Sequence, residues 1–416
     1  MFFFYQLIIC LLILISPLLI LFRIVKNKDN KFSIKEKFCI SSKKRVNGKL
    51  IWFHGASVGE ILSIIPLLKY YDSKKDIKQI LVTSSTLSSS KVLKRFKFKK
   101  TIHQFYPIDH IYLVNKFINY WKPCTAIFID SEIWPCMYNN LRKKNIPLIL
   151  LNARLTNKSY IRWMKIRKFS KAIFDNITIA YPQNLETKTY LRKLSSTKVN
   201  LIGNLKFADY VEDISNKTKD SFLIELKKKN IWVASSTHNH EEIFCAKTHI
   251  ELKKRVKNLT TIIIPRHVER VEEIIREITK LNLKITKHSE KKKSLKDIDI
   301  YLVDTFGETK KFHKISPSVF IGGSIVKKGG QNPLEAARYG AKILYGPSYE
   351  NFKDVYKLLN TLQVSTIVNS PRQLSSAIIF KKNKYIGNKI RNIGKNILIQ
   401  TIKELDGLIN DQFKKT

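Results

Sequence analysis

Apolar and polar positions divide the chain into stretches of different texture. Met1 to Leu21, MFFFYQLIICLLILISPLLIL, carries no charged residue, and Arg23 then opens the basic run FRIVKNKDNKFSIKEKF. About 20 consecutive apolar residues are what a helix needs to cross the hydrocarbon core of a bilayer, so residues 1–22 are expected to form a transmembrane anchor. A cleaved secretory signal fits less well, because no positive region precedes the apolar run and no small-residue cleavage site separates it from the basic one. Positive charge stays on the cytoplasmic side of a membrane, which predicts a single-pass anchor with the body of the chain facing the cytoplasm.

Beyond the anchor, short β-branched and apolar runs alternate with longer helical patterns: KLIWFH, QILVTS, TAIFID, IPLILL, NITIAY and VNLIG. The polar segment from Phe207 to Asn230 interrupts them, and the alternation restarts with IWVASST, TTIIIPR, IDIYLVDT, SVFIGGS, AKILYG and STIVNS. Alternation of this kind predicts parallel βαβ units with helices on both sheet faces. The expected fold is therefore α/β: two Rossmann-like domains, 23–212 and 213–416, facing each other across a cleft. The second domain includes a C-terminal helix from Asn383, and ligands should bind at the carboxyl ends of the strands.

The formal net charge of +43 makes an anionic partner worth considering: nucleic acid, a membrane surface or a phosphorylated substrate. The lysines are dispersed and accompany abundant isoleucine and asparagine, so compositional bias explains the charge equally well. No stripe of basic residues interleaved with aromatics is evident, which counts against nucleic acid as the partner. Five scattered cysteines without a C-x-x-C pair suggest neither a disulfide framework nor a zinc site.

Candidate chemistry concentrates where strands end. In SVGE, Ser57 and Glu60 match a capping box ahead of Ile61, Ile64, Ile65 and Leu68 at helical spacing. Gly55 and Gly59 would also let a ligand approach the backbone there. Glu60 can thus cap a helix or act as a general base, although the helix N-terminus favours its ionised form and weakens it as a base. Asp130 and Glu132 in FIDSEIWPC, and Asn152 and Arg154 in LNARL, occupy the same kind of position, and the planar fork of Arg154 suits a phosphate.

In the second half, FIGGSIVKKGGQNPLEAARYG carries two Gly-Gly pairs, with Asn332 placed to cap a helix and Pro333 to sit in its first turn. Glycines leading into a helix N-terminus make a cradle of backbone N–H groups for a nucleotide phosphate, and Glu335 can reach ribose hydroxyls. Arg266 and His267 in IIIPRHVER, and Gly307 and Glu308 in VDTFGE, lie where the same nucleotide would bind. The cluster SSTHNHEE invites a metal reading, but a polar cap at a helix start explains its acids as well.

Taken in order, WFHGASVGE, DSEIWP, LNARL, GNLKF, SSTHNHEE, PRHVER, DTFGE and GGSIVKKGGQNPLEAARYG…YGPSYENF resemble the 3-deoxy-D-manno-octulosonic acid (Kdo) transferases of Gram-negative bacteria, from Lys49 to about Phe352. The resemblance implies a GT-B glycosyltransferase of lipopolysaccharide biosynthesis. Such an enzyme moves Kdo from CMP-Kdo to the tetra-acylated, bis-phosphorylated lipid A precursor at the cytoplasmic face of the inner membrane, with inversion and without a metal or other cofactor. It implies Glu60 as the general base and donor contacts at Arg266, Gly307, Glu308, Gly323, Ser324, Asn332 and Glu335, with His267 beside them. Ser57, Asp130, Glu132 and Arg154 are then expected on the acceptor side. Three positions depart from the family pattern: Gln331 replaces a histidine, Asp130 a glutamate and Cys136 an asparagine. Two other readings stay open, a transferase using a different nucleotide sugar, and a membrane-tethered binder of anionic lipid or nucleic acid without catalysis. Binding of CMP distinguishes the first, and a steep fall of binding with salt the second.

Overall fold

The computed structural model describes residues 2–26, 29–208, 221–290 and 297–413. Phe2–Val25 is a single helix of the length and apolarity that a bilayer crossing requires, and none of its residues is buried. Both ends touch the body: the Tyr5 hydroxyl donates to Asp109 (2.6 Å), and Arg23 pairs with Asp29.

Two parallel sheets of seven strands follow. The first comprises β1 (Lys49–His54), β2 (Ile77–Ser84), β3 (Thr101–Phe105), β4 (Thr125–Ile129), β5 (Leu148–Ala153), β6 (Ile179–Pro182) and β7 (Lys198–Val199), in the order β3-β2-β1-β4-β5-β6-β7. The second comprises β8 (Asn230–Thr237), β9 (Leu259–Pro265), β10 (Ile285–Lys287), β11 (Ile300–Leu302), β12 (Ser318–Ile321), β13 (Lys342–Tyr345) and β14 (Ser365–Ile367), in the order β10-β11-β9-β8-β12-β13-β14.

Central strands of a parallel sheet are covered on both faces and so read as continuous apolar runs. In β1, Leu50, Ile51, Trp52 and Phe53 are all buried, with Trp52 level with Leu81 on one side and Ala126 on the other. The helix Val58–Ser73 lays Ile61, Ile64, Ile65 and Leu68 against the sheet, as its spacing predicts. β3 and β10 have no apolar run that predicts them. Both are edge strands, whose composition, TIHQF and ITK, lacks the apolar continuity of a central strand. The open edge of β3 is covered by the helix Lys31–Lys37, whose Glu36 carboxylate accepts the Phe105 N–H at 2.8 Å.

Contacts divide the chain into two units, Met1–Val211 with Gly394–Thr416, and Glu212–Ile393. The boundary expected at 212/213 lies outside the described residues. The C-terminal helix, Lys384–Phe413, does not belong wholly to the second domain as expected, since from Gly394 onward it packs on the first unit. Leu405 and Ile409 are buried in the cluster formed by Ile64, Leu68 and Tyr71, and Tyr181 donates to Glu404 at 2.9 Å. Gly394 permits the approach: a Cβ there would lie 1.9 Å from the Phe207 carbonyl oxygen.

Candidate active site

Strand order reverses in each sheet, between β1 and β4 in the first and between β8 and β12 in the second. The carboxyl ends of strands at such a switch point form the ligand crevice of open α/β sheets, and the motifs picked out from sequence fall at these ends.

In the first unit, β1 ends at His54, and Ser57 caps the following helix, its hydroxyl oxygen accepting the Glu60 N–H at 3.4 Å. The Glu60 carboxylate reaches back, accepting the Ala56 N–H (2.7 Å) and the Ser57 hydroxyl (2.7 Å). This is a capping box whose return bond goes one residue before the cap. The space at Gly55 is filled by this side chain, since a Cβ there would lie 3.1 Å from the Glu60 Cβ.

Its place at the helix N-terminus does not keep the Glu60 carboxyl low, contrary to the expectation from the helix dipole alone. Burial pushes its carboxyl up to about 7, against the Ser57 hydrogen bond, and the nearby charges of Glu132 and Asp130 add to the rise. Glu132 is driven the other way. Burial raises it, but His54 (Nε2 to Oε2, 3.2 Å) and the Trp134 indole N–H (2.9 Å) together hold it below the usual carboxylate range. Two neighbouring carboxyls whose environments push them apart are the pattern of an acid–base site.

His54, not singled out from sequence, is buried between Glu132 and Thr83, whose hydroxyl lies 2.9 Å from Nδ1, and its ring stacks on Tyr106 with centroids 4.0 Å apart. Asp130 and Asn152 both have left-handed backbones (φ 64° and 53°), a conformation that Asp and Asn tolerate better than most residues. The Asp130 carboxylate meets Lys206 of the GNLKF motif at 3.5 Å, and its carbonyl accepts the Arg154 N–H at 3.1 Å. The Arg154 side chain, half-buried at the same edge, has no acidic partner among the described residues. The structure thus gathers Ser57, Glu60, Asp130, Glu132 and Arg154 at one sheet edge.

In the second unit, Gly322 lets β12 close onto β8, where a Cβ would stand 2.3 Å from the Ser236 carbonyl oxygen. The N–H cradle after it is already occupied. The buried Glu241 carboxylate accepts from Gly323, Ser324 and Ile325 (2.6, 3.0 and 2.9 Å) and from the His238 N–H (2.9 Å). The first Gly-Gly pair therefore builds a structural clamp, and its N–H groups at 323–325 are not open to a phosphate as the sequence suggested. The second pair, Gly329 and Gly330, is left-handed at both residues (φ 78° and 73°). Asn332 accepts the Leu334 N–H at 3.0 Å, while Pro333 occupies the cap position itself.

Around the second switch point, His238 faces His267, with ring centroids 5.8 Å apart, and Gln331, at 3.5 Å. Burial, with His267 and Arg266 nearby, pushes the His238 imidazole below its ordinary value. Arg266 and His267 are exposed. Glu335 faces His313 (Nδ1, 3.6 Å), whose Nε2 is 3.0 Å from the Ser235 hydroxyl. Burial raises the Glu335 carboxyl, but His313, Lys310 and Arg338 outweigh it and keep the group below its usual value. Glu308, after the left-handed Gly307, pairs with Lys311 at 2.6 Å. No motif flagged His313, which sits inside an ordinary helix, Thr309–Ile315. Among the described residues no group of three His, Cys, Asp or Glu side chains converges as a metal site would require.

The family model for 3-deoxy-D-manno-octulosonic-acid transferase (kdotransferase) matches residues 32–209. A 3-deoxy-D-manno-octulosonic acid transferase of Rickettsia bellii is 32% identical over 388 residues, covering 93% of this chain and 92% of that protein. The chain belongs to the Kdo transferase family. The Haemophilus influenzae member is 28% identical over 86% of each chain. A glycosyltransferase from Rickettsia africae superposes with a TM-score of 0.57 at 13% identity, over 89% of this chain and all of that one, which shows the GT-B fold. In this Kdo transferase the family model spans every site residue named in the first unit.

Proposed function

We propose that this chain transfers Kdo from CMP-Kdo to the tetra-acylated, bis-phosphorylated lipid A precursor with inversion, using Glu60 as general base. The supporting observation is the Glu60 carboxyl itself, fixed by Ala56 and Ser57 and raised to about 7, the range that suits a general base at neutral pH. An acceptor hydroxyl gives its proton to Glu60 as its oxygen bonds to the anomeric carbon of Kdo. The bond from that carbon to the CMP phosphate breaks on the opposite face. The leaving phosphate is stable as an anion, so one base is the main proton-transfer requirement.

On this reading, Glu132, held ionised by His54 and Trp134, keeps Glu60 basic, and Arg154 offers its guanidinium to an acceptor phosphate. Arg266, His267, Gly307, Glu308, Gly323, Ser324, Asn332 and Glu335 serve the donor. For Gly323 and Ser324, the role is to shape the site, since their N–H groups belong to Glu241. The apolar helix Phe2–Val25 holds the enzyme at the inner membrane with its body on the cytoplasmic side, where an anionic lipid surface attracts its lysines. The test is a mass-spectrometric transfer assay with CMP-Kdo and the lipid A precursor. Product masses rising by whole Kdo units support the proposal, and no product from an enzyme that binds CMP-Kdo overturns the choice of acceptor.

A further inference from the structure

Beside β3, at the edge of the first sheet, lies a cavity of about 850 Å3 walled by Phe32, Leu87, Leu93, Phe96, Phe98 and Phe105. Its size is that of a small-molecule site. Phe32 at its rim is 69% exposed, a large apolar ring left uncovered by the rest of the unit.

Three ammonium groups, of Lys43, Lys91 and Lys94, also line it, and none has an acidic partner among the described residues. The lining carboxylates are taken up within the protein. Asp29 is held by Lys37 (2.6 Å) and Arg23, and Glu36 by the Phe105 N–H (2.8 Å) and the Ser42 hydroxyl. His103 adds no charge at neutral pH, because burial and the nearby Lys94 and Lys43 push it down to about 4. An apolar chamber ringed by unpaired ammonium groups complements an acyl chain that carries a phosphate.

Two contacts fix where such a ligand would lie. Asp29 binds Arg23 at the end of the apolar helix, so the chamber opens beside the segment that enters the membrane. The helix Leu87–Lys94, which forms one wall, starts against the Glu60 loop. Both the Ser85 N–H and the Ser89 hydroxyl donate to the Ala56 carbonyl (3.4 Å each), and Ala56 is the residue whose N–H holds Glu60.

We propose that this cavity receives one acyl chain of the acceptor lipid, with Lys43, Lys91 and Lys94 on its anionic head, and so sets the acceptor in register with Glu60. The identity of the lipid rests on the Kdo-transfer reading, whereas the chemistry of the cavity does not.

The test uses the full chain in nanodiscs of zwitterionic lipid, with three variants: Phe32→Gln, Ser90→Met, which fills the chamber, and Lys91→Glu. The KM for the tetra-acylated precursor should rise tenfold or more in each, with the KM for CMP-Kdo as in the native chain; turnover of a fully deacylated, bis-phosphorylated acceptor should stay native in Phe32→Gln and Ser90→Met and fall in Lys91→Glu, whose ammonium meets the retained phosphate. Dodecyl phosphate bearing a terminal diazirine should label peptides from residues 87–105, be displaced by the tetra-acylated precursor, and label the variants less. Unchanged KM values, equal effects of Phe32→Gln or Ser90→Met on both acceptors, or labelling elsewhere overturn the proposal. Equal displacement by phosphatidylglycerol overturns the assignment to the acceptor, making the cavity a general lipid site. Labelling as expected without transfer to any acceptor overturns the Kdo-transfer reading while the acyl-phosphate site stands.

Discussion

Replacing Glu60 by glutamine should make the first unit more stable at alkaline pH while disabling the enzyme. The amide can reproduce the local bonds of the protonated acid, accepting the Ala56 N–H and donating to the Ser57 oxygen, so little is lost structurally. The native carboxyl rises from 4.5 to about 7 on folding, mainly through burial. A group raised in this way contributes most below its unfolded value, and that contribution disappears as pH climbs through the folded value. At about 1.4 kcal/mol per unit the full interval is worth about 3 kcal/mol, and partial solvent screening of the side chain reduces this to about 1–2 kcal/mol. Native and Glu60→Gln chains should therefore melt alike near pH 4.5, and the variant should gain progressively up to pH 8, by a few degrees in a domain of this size. The assay is thermal unfolding followed across that pH range. A constant difference between the two chains would refute the reasoning, because it would mean that Glu60 titrates normally in the folded protein.

Other outcomes follow from the same structure. Glu241→Gln leaves backbone donors at 323–325 facing an amide, so the second unit should lose at least about 2 kcal/mol in chemical denaturation, and a variant of native stability would show that the clamp matters little. Gly394→Val drives a side chain into the Phe207 carbonyl and should cost about 1–3 kcal/mol, with proteolysis releasing the C-terminal segment first. Tyr5 and Arg23 are 18 residues apart, about 27 Å along a helix, so a helix that crosses the bilayer must break the Tyr5–Asp109 bond. If it crosses, Tyr5→Phe will leave membrane extraction unchanged and an N-terminal tag will be digested only from the periplasmic side; protection there would show a helix lying along the body.

The sequence made the switch-point loops visible because parallel sheets write their central strands as apolar runs and end them in Gly, Asp, Asn and Ser. KLIWFH, TAIFID and SVFIGGS all proved to be interior strands, with the candidate site residues immediately after them. Edge strands with mixed composition, such as TIHQF, carried no such signal. Contacts across the sheet were equally hidden. Nothing in WFHG shows that His54 meets Glu132 across 78 residues of chain, and nothing in FIGGS shows that Glu241 fills the cradle. The C-terminal helix looked local to the second domain because its packing depends on a glycine and a few buried side chains, Leu405 and Ile409 among them, that fit either surface by composition. Glu60 was legible as a candidate base, but its raised proton affinity was not, since that comes from burial and from carboxylates 70 and 72 positions away.

The pH dependence of kcat/KM for Kdo transfer to the lipid A precursor tests the central claim most directly. With Glu60 as a half-buried base, the rate should fall tenfold per unit below an inflection near 7, and Glu60→Gln should lower it by about two to four orders of magnitude and abolish the limb. A limb that stays in the variant, or a variant that transfers Kdo at the native rate, would leave Glu60 as a helix cap alone.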